Sequence, residues 1–265
     1  TDSSVRSQIA LADTDVSNRV DFVPDQYSFN FLGYSGKFIF DQQTKEPILQ
    51  SYDDLQIEKR GNSESTLYFI ITTKDGFQFY FGHSVDNVRK AKSKDQTIGS
   101  SAYSAQGLAD ITNNRTAPIN TWHLMDIVSP NGKKNSFIYN LEEPYFHRRS
   151  YDKKESDNGH TSYFTKYHGY QYQIKEIIFD QGSVKFIPES SERLDLNDGY
   201  ALSSIEIENQ YQRVKKYNFN YSYSSSSNTN DNHNVNYHLF DFEAEARKRL
   251  FLNNVQVIGN NNNNT

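Results

Sequence analysis

The chain has 265 residues, 33 acidic and 28 basic side chains for a formal net charge of −5, and no cysteine. That mild, mixed charge lacks the cationic excess a phosphate backbone requires, so nucleic acid is not an expected partner. The missing cysteine excludes disulfides, cysteine-ligated zinc and thiol nucleophiles. No apolar run of about 18 residues is present to span a membrane as a helix.

Residues 1–20 alternate weakly around Asp13-Thr14-Asp15 and read as a flexible lead-in or a first edge strand. The pattern sharpens from Asp21. Tyr27, Phe29 and Phe31 alternate with Ser28 and Asn30, and Phe38 and Phe40 follow Gly33-Tyr34-Ser35-Gly36. The glycines there supply positive φ or a bulge, which predicts a hairpin. Pro47 marks a loop, and Leu55-Gln56-Ile57-Glu58 reads as a short strand before Gly61-Asn62-Ser63.

A strand-turn-strand unit then recurs in Leu67–Phe81 around Lys74-Asp75-Gly76, in Trp122–Tyr139 around Pro130-Asn131-Gly132, and in Tyr170–Ile187 around Asp180-Gln181-Gly182. Asn-Gly or Asp-Gly between alternating apolar runs is the strongest short-range hairpin signal. Between these units lie two polar stretches expected to be surface excursions. The first, 82–121, offers helical turns at Val85–Lys92 and Ser101–Leu108 and a basic cluster, Arg89, Lys90, Lys92 and Lys94, expected to form a solvated face. The second, 141–167, carries His147-Arg148-Arg149 and Asp157-Asn158-Gly159-His160.

Ser203–Gln210 and Arg213–Tyr223 predict a further hairpin bending near Gln210. Residues 224–236, of low complexity, are expected to form a third surface excursion, Leu239–Arg249 has helical spacing, and Leu250–Ile258 returns to strand. The tail 260–265, with its run of asparagines, reads as disordered. A coarse repeat, Leu124-x-x-Ile127, Ile174-x-x-Ile177, Leu202-x-x-Ile205 and Leu252-x-x-Val255, starts at irregular intervals, which argues against a strict solenoid. The expected fold is therefore all-β: an antiparallel hairpin meander forming a twisted sheet or sandwich, with one short helix near the C-terminus and a single domain over 21–259. Nineteen Tyr and 18 Phe supply a core that is lean in aliphatic residues.

No motif carries chemistry. There is no Gly-x-Ser-x-Gly nucleophile turn, and the seven histidines have no ligand spacing, so neither a catalytic residue, a metal nor a cofactor is expected. Asp195-Leu196-Asn197-Asp198-Gly199 has calcium-loop composition without the ligand order or the closing Glu, and reads as a plain turn. Glu206 and Glu208 share a strand face and read as its solvent side. The cluster worth weighing is aromatic: Tyr163, Phe164, Tyr167 and Tyr170, flanked by His168 and Tyr172. Rings with polar tips suit sugar stacking, and the competing reading is a sheet-face ladder.

Asp21-Phe22-Val23-Pro24-Asp25 leading into Tyr27–Phe31, the Gly33-x-Ser35-Gly36-Lys37-Phe38 turn, Phe69–Gly82, Trp122–Gly132 and Lys248–Gly259 together resemble the non-repeat N-terminal region of Bacteroidetes surface proteins carrying RHS/YD repeats. The resemblance implies export, a β-rich fold and a place at the cell surface, and it carries over no catalytic residue. The tandem Tyr-Asp repeats of that family are missing here. On this basis the expected function is a non-enzymatic structural or interaction segment of a larger secreted or cell-surface protein. Its partners would be the rest of its own longer chain or other surface proteins. The alternatives are a carbohydrate-binding module, with a glycan as partner, and a glycoside-active enzyme.

Overall fold

A computed structural model describes residues 25–51, 54–100, 117–153, 160–225 and 248–259, with 97–100, 147–153 and 160–166 described by backbone alone. All regular structure within these residues is antiparallel strand, as expected from the aromatic alternation. The expected helix at Leu239–Arg249 lies outside them up to residue 247, and Lys248 and Arg249 open a strand. The expected lead-in at 1–20, the possible helical turns at Ser101–Leu108, the stretch 226–236 and the tail 260–265 also lie outside.

Three strands, β1 (Gln26–Phe31), β2 (Tyr34–Phe40) and β3 (Pro47–Leu49), form a small sheet. The β1–β2 turn is the two-residue pair Leu32-Gly33, both at positive φ (43° and 89°), the geometry that matches hairpin twist. Gly36 does a different job. A Cβ there would lie 2.6 Å from the Phe29 ring, so its missing side chain makes room for the aromatic across the ladder.

The large sheet begins with β4 (Leu55–Arg60), β5 (Tyr68–Thr73) and β6 (Gln78–Phe81), followed by β7 (Lys92–Ser100), β8 (Ile119–Trp122), β9 (Leu124–Val128) and β10 (Lys134–Glu142). It continues through β11 (Tyr145–Lys153), β12 (His160–Phe179), β13 (Gly182–Arg193), β14 (Leu196–Asn209), β15 (Arg213–Ser225) and β16 (Lys248–Gly259). The four hairpins expected in this part of the chain are present as β5–β6, β9–β10, β12–β13 and β14–β15. Gly76 and Gly132 take positive φ in their turns. Gly182 is absent from the positive-φ residues; its Cβ would sit 2.0 Å from the Glu208 carbonyl oxygen of β14, so it is glycine because a neighbouring backbone passes close.

The polar stretches differ from their reading as surface excursions. β7 and β8 run through 82–121, and β11 with the first half of β12 occupies most of 141–167. Their residues satisfy backbone groups in ladders with distant partners, for which local composition carries no sign. Val85–Lys92 holds a turn with Asn87 at φ 58° in place of a helical turn. β12 is the spine: its first half pairs with β11 and β7, its second half with β10 and β13.

The core forms where the small sheet lies over β4, β5, β6 and β9. Phe31, Ile71 and Phe79 are buried at its centre, with Phe29, Leu55, Ile57, Phe81, Leu124 and Ile127 packed round them. Phe31 meets Phe79 and Phe81 at centroid distances of 4.7 and 5.2 Å. Each such pair contributes about 0.5–1.5 kcal/mol beyond the area it buries. The far side of the molecule is built differently. β13, β15 and β16 hold no buried residue, and β14 buries only Gly199, Ala201 and Ser204.

Candidate functional site

The two sheets do not close completely over the core. A cleft of about 720 Å³ opens between β1 and β8, floored by Phe38, Phe69, Ile71 and Phe81 with Trp122 on one wall. Its aromatics are packed in a chain: Tyr27 stacks on Phe38 at 5.1 Å, Phe38 meets Phe69 edge-on at 5.5 Å, and Phe69 meets Trp122 edge-on at 5.2 Å. The ring contacts follow from alternation in β1, which sends Tyr27, Phe29 and Phe31 to the same face. Trp122 is oriented by its indole N–H, which donates to the Leu67 carbonyl at 3.0 Å. Gly82, at φ +87°, leaves the space its ring edge fills. Burial, with the Asp25 carboxylate adding to it, pushes the Tyr27 phenol upward.

The rim is polar. Gln26 donates to Gln50, Asn120 donates to Asp95 at 2.9 Å, and the Ile119 backbone N–H donates to Glu64 Oε1 at 2.6 Å. Lys92 turns its ammonium onto the Ser65 carbonyl at 2.8 Å, and burial, then Lys90, lowers its pKa to about 8.

Outside the cleft lining lies a second constellation, which the sequence reading missed. Asp126 is fully buried and accepts from Arg89 Nη2 at 2.9 Å, Ser136 Oγ at 2.6 Å and the Val85 N–H at 2.8 Å, while Arg89 Nη1 donates to the Phe137 carbonyl at 2.8 Å. Arg89 therefore departs from the expected solvated basic face, as do Lys92, held by carbonyls, and Lys94, whose ammonium sits 4.4 Å over the Tyr170 ring. For Arg89 the cause is a carboxylate sealed from water, which is tolerable only when paired and hydrogen-bonded. The available signal was Asp126 interrupting the apolar run Leu124-Met125-Asp126-Ile127-Val128.

Ser93 Oγ and His123 Nε2 share a 2.6 Å hydrogen bond, and the Tyr172 N–H donates to the same Ser93 oxygen. A hydrolytic pair would need a carboxylate on the other imidazole nitrogen and an open approach to the serine. Among the described residues no carboxylate bonds His123 Nδ1, and Ser93 is buried outside the cleft lining. The pair instead ties β7 and β12 to the residue that follows β8. Burial lowers the His123 pKa and raises that of neighbouring Tyr139 to about 12, its hydroxyl donating to the Leu124 carbonyl.

His83, stacked on Tyr68 at 4.7 Å, is likewise lowered by burial and then by Lys92, against the opposing bond from Asn87. Its Nε2 is buried near the Ser65 backbone without reaching hydrogen-bond geometry.

The four aromatics singled out in the sequence all fall on β12. Backbone pairing places Tyr163 opposite Ser150 and Phe164 opposite Arg149 and Ser100. Tyr167 stacks on Phe146 at 4.7 Å, and Tyr170 lies under Lys94 and beside His168. Three residues apart in an unbroken ladder, Tyr167 and Tyr170 stand on opposite faces of the sheet. Glu206 and Glu208 pair with Lys216 and Lys185 on adjacent strands. Asp195 accepts from Arg193 and the Leu250 N–H, so its oxygens serve the β13–β14 turn and β16.

No family model, curated protein or solved structure matches the chain.

Proposed function

We propose that the chain is a non-enzymatic structural or interaction segment of a larger exported surface protein, of the RHS-like kind its sequence resembles. The observation that carries this reading is the half-finished architecture of the C-terminal strands. A stable domain covers the apolar face of a sheet with a second layer, yet β13, β15 and β16 bury no residue on either face. Phe251 and Leu252, adjacent in β16 and therefore on opposite faces, are 52% and 53% exposed. Leu194, Val214, Tyr211 and Val255, in the same strands and the turns that join them, are exposed as well. Apolar area of this kind on both sides of one sheet marks a surface that other polypeptide covers. No helix among the described residues is long and apolar enough to cross a membrane.

The test is the intact mass of the natural product, recovered separately from the culture medium, the cell surface and the cell interior. A species several-fold heavier than 30.7 kDa outside the cell is the expected result. A product that ends near residue 265, or one confined to the cell interior, overturns the proposal.

A further inference from the structure

The cleft between the two sheets has a feature that aromatic lining alone does not explain. A surface touching one face of a strand meets every second residue. This cleft instead meets Gln26, Tyr27, Ser28, Phe29 and Asn30 in unbroken succession, and likewise Ile119, Asn120, Thr121 and Trp122. It therefore wraps the edges of β1 and β8. Among the described residues β1 pairs only with β2 and β8 only with β7, so within them each has one edge that no strand covers. At Ile119 the outward N–H is already satisfied by the Glu64 carboxylate, which stands where the carbonyl of a neighbouring strand would accept.

The cleft also has a charge. Asp25 lines it, Glu64 holds Ile119 and Asp95 holds Asn120; all three carboxylates are exposed and none forms an ion pair among the described residues, while the rim ammonium of Lys92 feels Glu64 but is turned onto the Ser65 carbonyl, which leaves the carboxylates in excess. The floor of Phe38, Phe69 and Phe81 accepts apolar side chains, and the side-chain amides of Gln26 and Asn120 are spent on Gln50 and Asp95. What the rim offers a ligand is chiefly main chain.

We propose that this cleft is a strand-acceptor site: it takes an extended peptide of a partner protein, with apolar side chains at alternate positions and basic residues at its flanks, which hydrogen-bonds to the open edge of β1. Strand addition of this kind draws affinity from main-chain bonds and selectivity from pockets for alternate side chains. The site is separate from the uncovered C-terminal sheet and does not depend on its role.

The probe is a synthetic peptide, Lys-Phe-Thr-Val-Thr-Phe-Lys, added to the full chain. Binding is followed by emission of Trp122, the single tryptophan, and by hydrogen exchange. The expected results are saturable binding and at least tenfold slower exchange within Gln26–Phe31. N-methylation of alternate peptide nitrogens, which removes ladder donors, should weaken binding at least tenfold. Reversing charge with Asp25→Lys and Asp95→Lys should do the same, and a probe with Glu in place of Lys should restore it.

The proposal is overturned if the N-methylated probe binds as well as the parent, or if no binding is seen at millimolar peptide. It is also overturned if the Gln26–Phe31 amides of the free chain already exchange as slowly as those of β5, since the edge would then be occupied. A glucan hexamer that shifts Trp122 emission where the peptide does not would show that the cleft reads sugar rings, and would equally overturn it.

Discussion

Asp126 offers the sharpest test of the packing argument, because its carboxylate is fully buried while Arg89, at 27% side-chain exposure, is only partly so. Asp126→Ala removes the acceptor of three hydrogen bonds at once, leaving the Arg89 guanidinium, the Ser136 hydroxyl and the Val85 N–H without it. Breaking a buried pair by deleting one partner costs about 3–5 kcal/mol, since the other charge is stranded. Against a total stability on the order of 5–15 kcal/mol this is a large fraction, and it lowers Tm by roughly 6–20 °C for a chain of this size. The assay is urea and thermal unfolding followed by Trp122 emission, which reports the neighbouring core.

The double variant Arg89→Met with Asp126→Leu separates the pair from its surroundings. If the charges matter chiefly because neither tolerates being left alone, the double variant loses less than Asp126→Ala does. A loss below about 1 kcal/mol for Asp126→Ala would refute the reasoning, since a carboxylate so easily removed cannot be the buried hub described.

Leu32 holds φ 43° on an exposed hairpin turn, a conformation that Asn adopts more readily, so Leu32→Asn should stabilise the chain by about 0.5–1 kcal/mol in urea melts. Gly182→Ala should destabilise by about 1–3 kcal/mol in the same melts, because the new methyl meets the Glu208 carbonyl. His83 and His123 have pKa values lowered by burial. The unfolded chain therefore binds protons first, near the ordinary histidine value of about 6.5, and stability should fall as pH drops from there through the lower folded values. Urea midpoints between pH 7.5 and 5 read that slope, and Asn at both positions should flatten it.

The hairpins were legible because their signals are local. An Asp-Gly or Asn-Gly pair and a two-residue alternation lie within fifteen residues of one another, as at Gly76 and Gly132. Gly182 looked like the same signal but answers to β14, some 26 residues on, so its position was readable and its reason was not. The Asp126 hub joins residues 37 apart through Arg89, and a basic run gives no local sign of which cation will be drawn inward. The cleft lay further still from view. It lies between β1 and β8, about ninety residues apart in the chain and in different sheets, and edges are a property of sheet order. At Tyr167 and Tyr170 the residues were located in advance, but their division between two faces needed the unbroken register of β12 with β7.

β12 answers to one set of neighbours along its first half and another along its second, so the two ladders share a single rigid rod. One residue added or lost near Gly169 would turn every side chain beyond it to the wrong face and throw one whole ladder out of step with the other. Tolerance to insertion is thus lowest near the junction of a stretch whose polar composition reads as surface loop.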